Sequence, residues 1–246
     1  MPAAPDAAPN LTESVVQRLE DLVLVELEPG ADLPSESALA VQLGVSRLTV
    51  REATKSLQAR GLVEIRQGRR PVVAHPHAGP LGDFFSAAVR RDPRRLMDLI
   101  EVRRALEVHI AGLAAAHAGR AAVSAMTLAL DAMRAVAGDA EAFHEADIRF
   151  HESLAAATGN QMLEFLLEAL AGPLHASRLR SLRGHLARGQ TVDEVIEQHA
   201  RILDRVMARD PDGAAEAMRS HLAQTARDLK AALALEVPEV AAEEER

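Results

Sequence analysis

The chain has 246 residues, 28 Lys and Arg against 36 Asp and Glu, a formal net charge of −8 and no Cys. That length suits one large or two modest domains with a real core. The lack of Cys excludes disulfides and thiolate chemistry and fits a reducing cytoplasm. Ala and Leu abound while Trp and Tyr are absent, which leans to helices, and no apolar run approaches the ~20 residues needed to span a bilayer.

Met1 to Asn10 is Ala/Pro-rich without a basic or apolar signal region and reads as a disordered tail. From Leu11 to Leu27 apolar residues fall at 11, 15, 19, 22 and 23, a helical period that Pro29-Gly30 ends. Ser35 is placed to cap a second helix through Leu43, and Ser46 a third that runs to about Arg60 and stops at Gly61. Gly44 supplies the tight turn between them. A helix, a turn and a second helix with a polar, basic start is how a helix-turn-helix meets the DNA major groove. On the third helix Val50, Ala53 and Leu57 form an inward stripe, while Arg47, Arg51 and Lys55 share another face. Leu62 to Ile65 and Pro71 to Ala74 are β-prone and joined by Arg66-Gln67-Gly68-Arg69-Arg70, a hairpin with a basic tip, the wing of a winged helix. The acidic total does not exclude DNA, because Val41 to His77 holds seven basic residues and two acids, a local balance of +5.

His75 to Pro80 reads as a linker, and the segment 76–92 as linker and connecting helix. Beyond it the pattern is helical throughout. Asp92-Pro93 opens a long helix with apolar positions 96, 99, 100, 106, 110 and 113, and further helices are expected near 121–137, 140–157, 161–183, 191–209 and 213–235. Residues 236–246 form an acidic tail. The predicted fold is mainly α: a winged helix-turn-helix over 11–75 and an all-α domain over 93–235.

Within that all-α part, Asp147 and His151 stand at i, i+4 and project from one helix face. His199 and His221 each lie eleven residues from Asp210, where a sharp break separates two helices, so antiparallel packing brings the two imidazoles level. Three imidazoles and a carboxylate suit a divalent metal, zinc first and nickel or manganese next, and can leave a position for water or an organic acid. Against this stands the plainer reading that the histidines are solvated or hydrogen-bonded in a core.

The run Leu33-Pro34-Ser35-Glu36, Leu43-Gly44-Val45-Ser46-Arg47, Thr49-Val50-Arg51-Glu52-Ala53 and Gly61-Leu62-Val63 resembles the winged helix of GntR-superfamily bacterial transcription regulators. The second half resembles the FCD ligand-binding domain of the FadR subfamily, through Glu101-Val102-Arg103 with Leu106-Glu107, Asp147 with Phe150-His151, Thr158-Gly159-Asn160, His199 with Ile202, and His221-Leu222. The resemblance implies a homodimeric, effector-controlled repressor or activator, a repressor being expected first, that binds a palindromic operator. It implies DNA contacts from Ser46, Arg47, Thr49 and Arg51, with Gly68 at the wing tip and Arg69 beside it adding phosphate contact. It also implies a four-ligand metal site at Asp147, His151, His199 and His221. The effector is then a small carboxylate next to that metal. Arg103 matches a pocket arginine that can pair with such an acid, or it forms an i, i+4 salt bridge with Glu107. His144, two turns before His151, lines the pocket or is solvated. Two departures stand out: Ser37 occupies a position where many members have a DNA-contacting Arg, and Gly68-Arg69-Arg70-Pro71 lacks the usual second wing glycine. The competing readings are a metal-free domain for a larger apolar ligand such as an acyl-CoA, and a metal-dependent hydrolase, for which no general base stands at a useful spacing.

Overall fold

The computed structural model of the chain describes residues 11–136 and 138–236. The tail expected at 1–10 and the acidic tail beyond Glu236 lie outside them. The chain divides into two compact units, Met1–Pro80 and Leu81–Arg246.

In the first unit α1 (Leu11–Asp21) passes into a π-helical turn, Leu22–Glu26. The single helix expected to Leu27 therefore changes pitch. Leu27 N donates to Leu22 O at 3.0 Å, five residues back, and only Val23 of that turn is buried. Helices α2 (Glu36–Leu43) and α3 (Arg47–Ala59) follow. Ser35 Oγ accepts from Ala38 N and Ser46 Oγ from Thr49 N, the capping bonds their positions predict. Gly44, at φ +67°, makes the left-handed turn that a side chain resists. Val50, Ala53 and Leu57 are fully buried against Val15, Leu19 and Leu33.

The hairpin is shorter than its sequence suggests. Strand β1 (Val63–Glu64) pairs antiparallel with β2 (Val72–Val73), Val63 opposite Val73. Pro71 has no N–H to extend the ladder, and Ile65 is exposed. The far edge of β2 bonds instead to the segment after α1: Gly30 N donates to Val73 O, Val73 N to Ala31 O and Leu33 N to Pro71 O, all at 2.8–2.9 Å. The Pro29-Gly30 signal was legible only as a helix stop, yet it also opens this third extended segment.

Helix α4 (Gly79–Arg91) begins inside the expected linker, with Pro80 in the first turn, where a missing N–H costs nothing. The second unit then runs through α5 (Arg95–His117), α6 (Arg120–Ala135), α7 (Ala140–Ala156), α8 (Gln161–Ala187), α9 (Val192–Met207) and α10 (Pro211–Glu236). Its described residues contain no strand. Asp139 caps α7, Asn160 caps α8, and Asp210 Oδ1 accepts from Gly213 N to cap α10 at 2.9 Å. Helix α10 packs along α5, α8 and α9, and α7 along α6 and α8. One core gathers Ile110, Met126, Phe150, Leu154, Ile202 and Met218, and a second Leu96, Ile100, Leu174 and Leu229. At Gly184 a Cβ would overlap the backbone carbonyl of Asp228, so α8 and α10 touch there only because the residue is glycine. No described helix is long and apolar enough to cross a membrane.

Candidate functional site

Helix α7 presents Asp147 and His151, α9 presents His199 and α10 presents His221, all four buried. One nitrogen from each histidine lies within 4.8 Å of the others. His199 Nε2 is 3.3 Å from His151 Nε2 and 3.0 Å from Asp147 Oδ1, which is 3.7 Å from His151 Nε2. The three helices thus bring together the four residues whose spacing suggested a site.

The second nitrogen of each ring faces an oxygen. His199 Nδ1 donates to Val195 O at 2.8 Å and His221 Nδ1 to Gln198 Oε1 at 2.9 Å. His151 Nδ1 lies 2.6 Å from Glu107 Oε2, an ion-pair contact at an angle outside hydrogen-bond geometry. With protons on the three Nδ1 atoms, the Nε2 lone pairs of His151 and His199 would face each other 3.3 Å apart, an arrangement that a shared proton or a metal ion between them relieves. Zinc–nitrogen bonds of about 2.0–2.1 Å give a tetrahedral edge of about 3.3–3.4 Å. The donor set therefore fits a metal ion, with Glu107, Val195 and Gln198 as the outer groups that fix each ring.

Electrostatics points the same way. Burial works against the charges of Glu107 and Asp147, but Arg103 and His151 hold Glu107, and Arg178 and His151 hold Asp147, well below the usual carboxylate range. Burial, with His199 and His151 nearby, pushes His221 well below an ordinary histidine. Burial also opposes a charge on His151, but Glu107 and Asp147 outweigh it and raise its pKa. A proton on His151 would supply positive charge where a bound metal ion would, so the two would compete.

A cavity of about 50 Å³ adjoins the cluster, with Arg103, His144, Asp147, Arg178, Gln198 and His221 in its walls. The salt-bridge reading of Arg103 holds: its Nε and Nη2 donate to Glu107 at 2.6 and 3.4 Å, while the residue also lines the cavity. His144 is buried, lies edge-on to His175, and has no hydrogen bond at either ring nitrogen. Burial, then Arg178, lowers its pKa to about 4, so the ring is neutral near pH 7. Arg178, Gln198 and the contact of Glu107 with His151 escaped the sequence reading. Farther along the cavity, His185 Nδ1 and Asp228 Oδ2 are 2.9 Å apart, His185 Nε2 is 3.0 Å from Thr191 O, and Gln224 and Arg188 donate to Asp228 Oδ1. That network is fully partnered and ties α8 to α10.

On the winged helix, Ser46 and Thr49 bond each other at the start of α3, Oγ to Oγ1 at 2.8 Å. Arg51 is engaged: Nε and Nη2 donate to the two carboxylate oxygens of Glu36 at 3.0 and 2.7 Å. Lys55 pairs with Glu52, Arg60 with Glu20 and Arg66 with Glu64. Among the described residues Arg47, Arg69 and Arg70 have no ion pair. The local balance of +5 therefore overstates the free cations, because Glu20 and Glu36 reach in from outside the counted stretch. Gly68 takes φ +71° with open space around it, and Arg69 N bonds Arg66 O at 3.1 Å, so the wing tip is a tight turn presenting Arg69 and Arg70.

Known proteins place these features. The family described as "Bacterial regulatory proteins, gntR family" matches residues 11–73, and "FCD domain" matches residues 98–224. The chain belongs to the GntR family. It is a transcriptional regulator of the GntR/FCD type. The chain is 34% identical over 198 residues to the HTH-type transcriptional regulator LutR of Bacillus subtilis, covering 80% of this chain and 90% of that one. It is 32% identical to the Glc operon transcriptional activator of Escherichia coli (89% of each chain) and 30% identical to the galactonate operon transcriptional repressor of the same species (90% and 97%). A solved Streptococcus agalactiae GntR structure superposes with a TM-score of 0.69 at 29% identity, covering 88% of this chain and 99% of that one. These relatives are named as regulators of transcription, consistent with a chain that is not an enzyme. Ser37 is exposed in the first turn of α2.

Proposed function

We propose that this GntR/FCD regulator binds a palindromic operator as a homodimer, and that a small carboxylate bound beside a divalent metal sets its operator affinity. Asp147, His151, His199 and His221 would hold the metal, zinc first for a set of three imidazoles and a carboxylate, with nickel and manganese as alternatives. Bound there, the ion would act as a Lewis acid that attracts the carboxylate. The observation that carries this reading is the set of three buried imidazoles, each with Nδ1 turned to an oxygen and Nε2 turned to its neighbours. The cavity beside them supplies room for a small acid, with Arg103 and His144 in its walls. Acid binding and operator binding are then two ends of one coupling, so operator DNA must change acid affinity by the factor that the acid changes operator affinity.

For DNA, Ser46, Arg47, Thr49 and Arg51 on α3 and Gly68 and Arg69 at the wing form the contact face. The pairing with Glu36 divides the labour. It occupies the Nε/Nη2 side of the Arg51 guanidinium and cancels its charge, leaving the end-on N–H groups to read guanine O6 and N7. Unpaired Arg47, Arg69 and Arg70 suit phosphate. Such a protein works where the bacterial chromosome is, in the cytoplasm. Relatives include an activator and a repressor; repression is the simpler expectation, and a reporter fused to the operator reads the sign.

The test is a thermal-shift screen of small carboxylic acids on purified protein, metal-loaded and chelated. Binding to the native state alone raises Tm by mass action. The expected result is a rise that requires the metal and is lost in His199→Ala. Equal shifts with and without metal would remove the metal from effector recognition.

A further inference from the structure

We infer that Arg178, on α8, grips the carboxylate of the effector, and that Arg103 does not. This rests on the effector reading above. Arg178 is 9% exposed and lies in the cavity wall beside His144 and Asp147. Its Nε has no hydrogen bond, because Asp147 Oδ2, although 2.9 Å away, lies off the bonding angle and is itself unbonded. A buried guanidinium with an unmade hydrogen bond carries a free-energy penalty that an incoming acceptor removes.

Arg103 differs in kind. Its Nε and Nη2 are committed to Glu107, and Glu107 also faces His151 Nδ1. Turning Arg103 toward a ligand would strand a buried carboxylate and release the ring it steadies. Arg178 pairs with Asp147 at 2.9 Å but makes no hydrogen bond to it, so its Nε is open to another acceptor once a metal draws on that carboxylate.

Charge balance adds a second argument. Arg103 and Arg178 are answered by Glu107 and Asp147 while the histidines are neutral. A divalent ion drawing on Asp147 leaves the buried site two positive charges in excess. Desolvated positive charge of that size calls for an anion. A carboxylate spanning the metal and the Arg178 fork supplies it with the planar geometry a guanidinium matches.

The test uses full-length, zinc-loaded protein titrated with sodium acetate, glycolate and L-lactate, following Tm and bound zinc on the same samples. At least one acid should raise the wild-type Tm; if none does, the effector reading itself falls, and the assignment with it. Arg178→Lys keeps the charge but loses the fork. It should retain zinc and bind the acid about 10- to 100-fold more weakly, the range for a charge-assisted hydrogen bond. Zinc-saturated Arg103→Lys should bind the acid close to wild type and need more zinc to saturate. An Arg178→Lys protein with wild-type acid affinity overturns the assignment. So does one that loses zinc while its zinc-saturated form binds the acid normally, the behaviour of a mere counter-ion for Asp147. If Arg178→Lys does not fold, Arg178→Gln is measured in the same way. Wild-type protein is also compared on acetate and acetamide, and equal binding of the two overturns the grip.

Discussion

Two arginine–glutamate forks sit in opposite surroundings in this molecule. Arg51 and Glu36 meet on the open face of the winged helix, with side chains 49% and 32% exposed, whereas Arg103 and Glu107 are each 1% exposed. The shorter bond of each fork is alike, 2.7 and 2.6 Å. What differs is the alternative each partner has. Water or DNA can replace Glu36 at little cost, so the exposed fork is an alignment that can be exchanged. Nothing replaces Glu107 inside the helical unit, so the buried fork is obligatory, and Glu107 passes its fixed position on to His151.

The largest expected effect breaks the comparison at the buried end. Arg103→Met should destabilise the protein by about 3–5 kcal/mol, because it leaves Glu107 as an unpaired buried charge. Urea unfolding measures the loss, and Arg51→Met should show almost none. The double variant Arg103→Met/Glu107→Leu should recover most of the stability, since both charges are gone. It should still bind metal about 10- to 100-fold more weakly, having lost the group that orients His151. Arg103→Met with wild-type stability would show that the two forks are equivalent after all.

Metal should come next in size. Chelation is expected to lower Tm in the wild type and to leave His199→Ala unmoved, because the variant has lost the nitrogen closest to both His151 and Asp147. A chelator that lowers Tm equally in both proteins acts elsewhere.

Much of this was legible in the sequence, for stated reasons. Ser35, Ser46 and Gly44 announce their helix starts and turn through local chemistry, and the structure places all three as expected. The helices of the second half follow from periodicity, and Asp147 with His151 from i, i+4 spacing. His199 and His221 came from a symmetry about Asp210 that antiparallel helices turn into contact. What stayed hidden depends on packing between elements distant in sequence. Glu107 was visible as a neighbour of Arg103, but its contact with His151 exists only because α5 lies against α7. Arg178 sits in a 27-residue helix with hardly any amphipathic signal to orient it. The pairing of Glu36 with Arg51 joins two helices across the turn, so a charge count along the chain could not see it.

At the exposed end the comparison predicts a division between arginines. Arg51→Ala should weaken operator binding about 10- to 100-fold and relax base preference at one position, leaving the dependence of log K on log salt nearly unchanged. Arg47→Ala and Arg69→Ala should weaken binding to all sequences and each flatten that slope by about 1. Glu36→Gln frees the charge of Arg51, so it should raise non-specific binding while lowering discrimination at the Arg51 position. A salt slope that flattens in Arg51→Ala would make Arg51 a phosphate contact and Glu36 an incidental neighbour.

The smallest effect is read by acid titration. Hydrogen bonding to Arg51 lowers the Glu36 pKa below its ordinary value. For Glu107 burial acts in the opposite sense, but Arg103 and His151 overcome it and hold the carboxyl much lower. Both carboxylates are depressed in the folded state, so each contributes stability above its unfolded pKa and loses it as pH falls through its folded pKa. Glu36 should therefore protonate first on acidification, and Glu107 only at lower pH, with the buried core. Carboxyl carbon shifts followed by NMR separate the two events. The stability difference between wild type and Glu36→Gln should vanish once the first is complete, while the acid sensitivity that remains in Glu36→Gln belongs to the buried cluster. If Glu107 protonated at or above the pH of Glu36, burial would be outweighing Arg103, and the fork inside the helical unit would be the weaker of the two.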